Sequence, residues 1–124
     1  MTDAMPALGA ERNVKLAELL GWKNAHVSCG AWYGHAPGSV FVTAIPDFCR
    51  DDAACFGLLI TLLDHIEIKD LAMGRYGQRV LVTVVLNRPE QVNGLSDFPE
   101  TNAGWRDAIT QAAWKALTAA KESK

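Results

Sequence analysis

The octapeptide Ile45-Pro46-Asp47-Phe48-Cys49-Arg50-Asp51-Asp52 constrains the fold of this chain more than any other stretch. Upstream, residues 40–45 are apolar or β-branched and read as a strand. Pro46 has no N–H to give to a ladder and ends that strand. Downstream, Asp51 or Asp52 can accept the open N–H groups of a first helical turn, so a helix is expected over 52–66. A strand passing directly into a long apolar helix requires a mixed architecture with both elements on one core.

The remaining pattern supplies the other elements. Leu16, Ala17 and Leu20 share an arc flanked by Val14, which predicts a helix over 11–20 that Gly21 ends in a left-handed conformation. Residues 27–33 and 40–45 read as a hairpin around the loop 34–39. In the middle helix Phe56, Ile60, Leu63, Leu59, Ile66, Cys55 and Leu62 cover about 160°, and Leu58 widens the arc further. Such a helix is expected to be buried by several elements or to lie at a subunit interface. Gly57 inside it costs about 1 kcal/mol relative to Ala, which a close backbone approach would explain. Residues 66–73 and 79–86 read as a second hairpin around 74–77. Val80, Val82, Val84 and Leu86 point one way and Leu81, Thr83 and Val85 the other, so this strand is expected to be central and covered on both faces. Residues 87–104 hold two prolines and two glycines and read as a long loop. A last helix is expected over 105–121.

The expected class is therefore α+β, in the order α-β-β-α-β-β-α. It would form a four-stranded antiparallel sheet with helices packed as an α/β/α sandwich. Packing all helices on one face, leaving the other for a dimer, is the alternative. With 124 residues the chain suits one domain over 1–124, residues 1–9 being a disordered tail. Hydrophobic residues make up 49 % and charged residues 21 %, a globular balance that needs no metal or disulfide staple. The net charge is -2 and the 12 basic residues are scattered, which argues against nucleic acid. No apolar run approaches the roughly 20 residues of a membrane span, and the first ten residues do not resemble a signal peptide. Three cysteines without paired spacing suggest reduced thiols in a cytoplasm.

Candidate chemistry is thin. Cys29-Gly30-Ala31-Trp32 resembles the loop around a papain-type thiol, but Trp32 occupies the nucleophile's place. His26, Cys29, His35 and Cys49 follow no established zinc spacing. Gly74-Arg75-Tyr76-Gly77-Gln78 joins two strands, whereas a phosphate-cradling loop opens a helix. Asp64 and His65 diverge by about 100° on a helix and form no dyad. Asp47, Asp51 and Asp52 could serve acid–base chemistry if one were desolvated, but the simpler role is capping and offsetting the positive helix end. Trp114 lies on the polar side of the last helix, among Asp107, Thr110, Thr118 and Lys121. It packs under the 87–104 loop or stands exposed as an anchor. No catalytic residue, metal or cofactor is expected; Trp114, Asp107, Lys121, Asp47 and Asp51 are the candidate partner-binding residues.

Three groups of segments carry a family resemblance: Leu19-Leu20-Gly21-Trp22-Lys23; Ile45-Pro46-Asp47-Phe48 followed by Asp51-Asp52-Ala53-Ala54; and Trp105-Arg106-Asp107-Ala108-Ile109 leading into Ala112-Ala113-Trp114-Lys115-Ala116-Leu117. In order and spacing they resemble the phage α-β-α sandwich family of small bacteriophage and prophage proteins. Cys49-Arg50 replaces the family's usual Ser-Thr, and Trp114 replaces a small or aliphatic residue. The resemblance implies a three-layer fold, a phage origin and no catalytic residues. The functional expectation is a non-enzymatic phage accessory protein in the host cytoplasm that binds a host protein, such as a defence effector of the CRISPR type. A self-assembling phage component that dimerises through the middle helix is the second expectation, and a small hydrolase the third.

Overall fold

A computed structural model describes residues 5–6, 9–86, 91–96 and 101–122. Helix α1 (Ala10–Leu19) ends as the glycine predicts. Gly21 has φ 103°, its N–H reaches Glu18 O at 3.1 Å, and Trp22 N–H reaches Ala17 O at 3.0 Å. Both bonds of a Schellman ending are present, and they turn the chain sharply into the first sheet.

That sheet is antiparallel in the order β1 (Lys23–Ser28), β2 (Ala31–His35), β3 (Val42–Ala44). The expected single strand over 27–33 is broken at Cys29-Gly30. Both residues have positive φ, 52° and 80°, and form a two-residue hairpin turn between Ser28 and Ala31. Gly34 and His35, expected in a loop, belong to β2. Gly34 lies against Trp22, where an added Cβ would come within 3.2 Å of Lys23 O. Beyond His35, Ser39 Oγ bonds both the N–H and the C=O of Phe41, so the last strand starts at Val42 rather than Val40.

Helix α2 (Asp52–His65) takes Asp51 as its N-cap, with Oδ1 accepting Ala53 N–H at 3.0 Å. The second sheet is antiparallel in the order β4 (Ile68–Tyr76), β5 (Arg79–Leu86), β6 (Gln91–Leu95). β4 runs past Gly74, and the turn is Gly77-Gln78 rather than 74–77. Helix α3 (Asn102–Glu122) starts three residues before Trp105, with Thr101 Oγ1 accepting Gly104 N–H at 3.2 Å.

The four-stranded sheet is thus replaced by two three-stranded sheets: the turn at Cys29-Gly30 makes two strands of one, and the region read as a long loop contains β6. Gly94 and Asn93 weaken its strand signal. The glycine is there for packing: a Cβ on Gly94 would lie 1.9 Å from Ala108 O and 2.7 Å from Ala112 N. β6 and α3 pack backbone to backbone. The expected α/β/α layering is not formed either. Val80, Val82, Val84 and Leu86 are buried in one cluster with residues of all three helices, including Leu16, Leu58, Leu62, Ala112 and Leu117. Leu81, Thr83 and Val85 on the opposite face of β5 are half-buried and outside that cluster, so the strand is central but deeply covered on one face only. Val14, Ala17 and Ile45 form a smaller core under the first sheet, and Trp22 packs against both clusters.

Candidate functional site

The acidic junction before α2 is a structural joint built on α1 and α3. Asn13 donates from Nδ2 to Asp47 Oδ1 at 2.7 Å and accepts Cys49 N–H at 3.0 Å. Asp47 O accepts the N–H groups of Arg50 and Asp51. Asp51 caps α2, and Asp52 pairs with Arg106, which also donates to Cys49 O at 3.0 Å. Asn102 gives Asp52 a further bond at 3.1 Å. Behind the joint Arg12 donates to Asp107 Oδ1 at 2.7 Å, to Thr110 Oγ1 at 3.0 Å and to Pro6 O at 2.9 Å. The Arg12 and Asp107 side chains are 5 % and 3 % exposed. Among the described residues, every buried polar side-chain atom here has a partner. A buried network satisfied in this way fixes one arrangement of the elements around it.

The thiols agree with a structural role. Burial pushes the Cys49 thiol up, and burial with neighbouring Cys49 pushes the Cys55 thiol up to about 12. Neither forms a thiolate near neutrality, and the thiolate is the nucleophile. Cys29 is exposed in its hairpin turn, and no group of three or more metal-ligating side chains is found among the described residues.

The five residues expected to meet a partner do not gather on one surface. Asp107, Trp114 and Lys121 recur every seven residues along one side of α3, and burial falls along that side. Asp107 is 2 % exposed and held by Arg12, Trp114 is half-buried against the main core, and Lys121 is exposed. The side that read as polar is covered at its start by α1, so Trp114 continues the packing there. Asp47 and Asp51 lie in the joint and are occupied by Asn13 and the α2 N-terminus.

The surface feature that sequence left undecided is on α2. Its apolar arc splits in two. Cys55, Leu58, Leu59 and Leu62 are buried, whereas Phe56, Ile60 and Leu63 are 53 %, 65 % and 51 % exposed. In projection Ile60 lies about 160° from both Leu58 and Leu62, whereas Leu63 lies about 40° from buried Leu59, so the three form a ridge that runs from the margin of the core round to its far side. Gly57 beside them meets nothing within 4 Å at its Cβ position, so the close approach expected there is absent. The ridge runs at its C-terminal end into an open recess of about 510 Å³ formed by residues 63–68. The sequence signal was the excessive width of the arc; which half faced water could not be read from it.

No protein-family model, curated protein or solved structure matches this chain.

Proposed function

We propose that this chain is a protein-binding module that presents the exposed ridge of α2 to an apolar groove on a partner. The observation that carries the reading is the spacing of Phe56, Ile60 and Leu63. Positions i, i+4 and i+7 on one helix face are the anchors of helix-in-groove recognition. Each side chain keeps about half its surface in water. Covering the rest is worth roughly 1 kcal/mol per residue, half of the full burial value. The helix is held by its capped N-terminus and buried half, so little ordering cost opposes binding. α2 carries Asp64 beside Ile60 and no Lys or Arg, which favours a groove with a basic rim.

Within this reading the phage-like segments support a phage or prophage accessory protein acting on a host protein. An inhibitor of a bacterial defence effector is its most concrete form. The test is affinity capture from the bacterial host with the wild type and with F56D/I60D/L63D. These positions are exposed, so the variant keeps its circular dichroism spectrum and melting temperature and loses the specifically retained host protein. Equal retention by the folded variant would overturn the proposal.

A further inference from the structure

Two three-stranded sheets have four edges, and an open edge is a template for another strand unless something guards it. β6 is guarded by α3. Gln111 Oε1 accepts Leu95 N–H at 3.3 Å, Gln111 Nε2 donates to Leu95 O at 2.9 Å, and Lys115 donates to Asn93 O at 2.7 Å. The glutamine amide thereby stands in for the peptide group of a neighbouring strand. β4 is guarded by an irregular register between Ile68 and Asp70, by Lys69, Asp70 and Arg75 along the strand, and by Asp70 Oδ1 taking Leu71 N–H at 2.9 Å. β1 is guarded by an irregular register between Lys23 and His26, by left-handed Asn24 at φ 56°, and by His26 Nδ1 lying 2.8 Å from Asn24 O.

Among the described residues β3 has no charge, bulge or covering side chain of this kind, and only its length of three residues limits its pairing. Residues 38–45 contain no charged residue, histidine or proline. Val42, Thr43 and Ala44 are all exposed, and Val40 and Phe41 beside them are 81 % and 75 % exposed. The hydrogen-bond phase is set by Ile45 N–H, which reaches Trp32 O at 3.1 Å, and by the pairing of Thr43 with Gly34. Antiparallel alternation then turns Thr43 towards β2 and points the N–H and C=O groups of Val42 and Ala44 outwards.

We propose that β3 pairs with β3 of a second copy, antiparallel about a two-fold axis through Thr43, making one six-stranded sheet across a dimer. In this register Val42 lies opposite the partner's Ala44 and Thr43 opposite the partner's Thr43. Four backbone hydrogen bonds form without rearranging either chain. The occupant is a second copy because the edge is neutral and self-complementary. Pairing it with itself brings no like charges together, and Thr–Thr is a favourable cross-strand pair. A charged foreign strand would find no countercharge anywhere in 38–45. Ser39 stops the strand at Val42, so the pairing is short and the dimer concentration-dependent.

Sedimentation equilibrium of the full chain from micromolar to millimolar concentration tests this. The weight-average mass rises from 13.5 kDa towards twice that value. Amide exchange in the wild type slows with concentration at Val42 and Ala44. V42K/A44K sets like charges against each other across the axis and keeps the mass at the monomer value. V42K/A44E sets opposite charges across the same pairs and restores the dimer, and F56D/I60D/L63D leaves it intact. A wild type monomeric throughout, an undiminished V42K/A44K dimer, or a dimer lost on changing the α2 ridge would each overturn the assignment.

Discussion

Replacing Gly94 and Gly57 each with Ala adds the same methyl group to one chain in two opposite environments. At Gly94 the new Cβ would stand 1.9 Å from Ala108 O and 2.7 Å from Ala112 N. Ordinary contact begins at 3.4 Å, so the shortfall against Ala108 O is 3.4 minus 1.9, or 1.5 Å. Both obstructing atoms are backbone of α3, and no rotamer change moves them. The helix must withdraw from β6, although Ala108, Ile109, Ala112, Ala113, Ala116 and Leu117 of the same helix are all buried in the main core. A gap of 0.5–1 Å already forfeits about a quarter to a half of the dispersion well for the atoms that face it. Overpacking alone costs about 1–3 kcal/mol. Adding the lost helix–sheet contact gives an expected destabilisation of about 3–5 kcal/mol for G94A, a large share of the roughly 5–15 kcal/mol that holds a domain together. At Gly57 the methyl meets nothing within 4 Å, and the position is helical. G57A is therefore expected to stabilise by about 0.5–1 kcal/mol. Urea denaturation followed by circular dichroism measures both; a 1 kcal/mol change moves the melting temperature by about 4 °C in a chain of this length. A G94A midpoint within about 0.5 kcal/mol of wild type at unchanged m-value would refute the close approach of β6 and α3.

Three further outcomes follow from the buried groups. R12M removes the guanidinium that buried Asp107 pairs with and is expected to cost roughly 3 kcal/mol in chemical denaturation, whereas R12M/D107L costs less than the single change; a double variant weaker than R12M would argue against the pair. Under native conditions a thiol reagent such as DTNB titrates one cysteine, Cys29, and in denaturant all three; a second fast thiol in the native protein would contradict the burial of Cys49 and Cys55. The Cys55 thiol is raised from 9.0 to about 12 in the folded chain, so folding favours its protonated form. Its contribution is complete below pH 9 and declines as pH rises towards 12, by about 1.4 kcal/mol per pH unit for one group. The stability difference between wild type and C55V is expected to change across that window and stay flat below it; a flat difference to pH 12 would remove the claim.

Much of the local structure was legible because the signals were local. Gly21 ends α1 as its lack of a Cβ allows, Asp51 caps α2 as its short carboxylate allows, and β5 occupies the span its alternation marked out. The misreadings have two causes. Cys29-Gly30 forms a turn inside an apparently continuous strand, a local reversal made by two residues of positive φ. β6 forms in a segment rich in loop residues, and what holds it there lies outside that segment. β2 pairs with β3 through a residue taken for loop, and β6 is held by α3 through a glycine that lowers its own strand propensity. The candidate site follows the same division: the width of the α2 arc signalled surplus apolar surface, while Trp114 drew attention through a polar pattern that α1 buries.

The sequence by itself determined three helices, the glycine end of α1, the aspartate start of α2, the mixed class and the surplus of apolar surface on α2. Those properties depend on backbone chemistry and side-chain period within a few residues. Tertiary structure decided the division into two sheets, the gathering of the helices on one face, the burial of Asp107 and the exposure of Phe56, Ile60 and Leu63. It also decided which strand edges are guarded. Each of these depends on which groups meet across the chain, and the same apolar or polar residue is core or surface according to what packs over it.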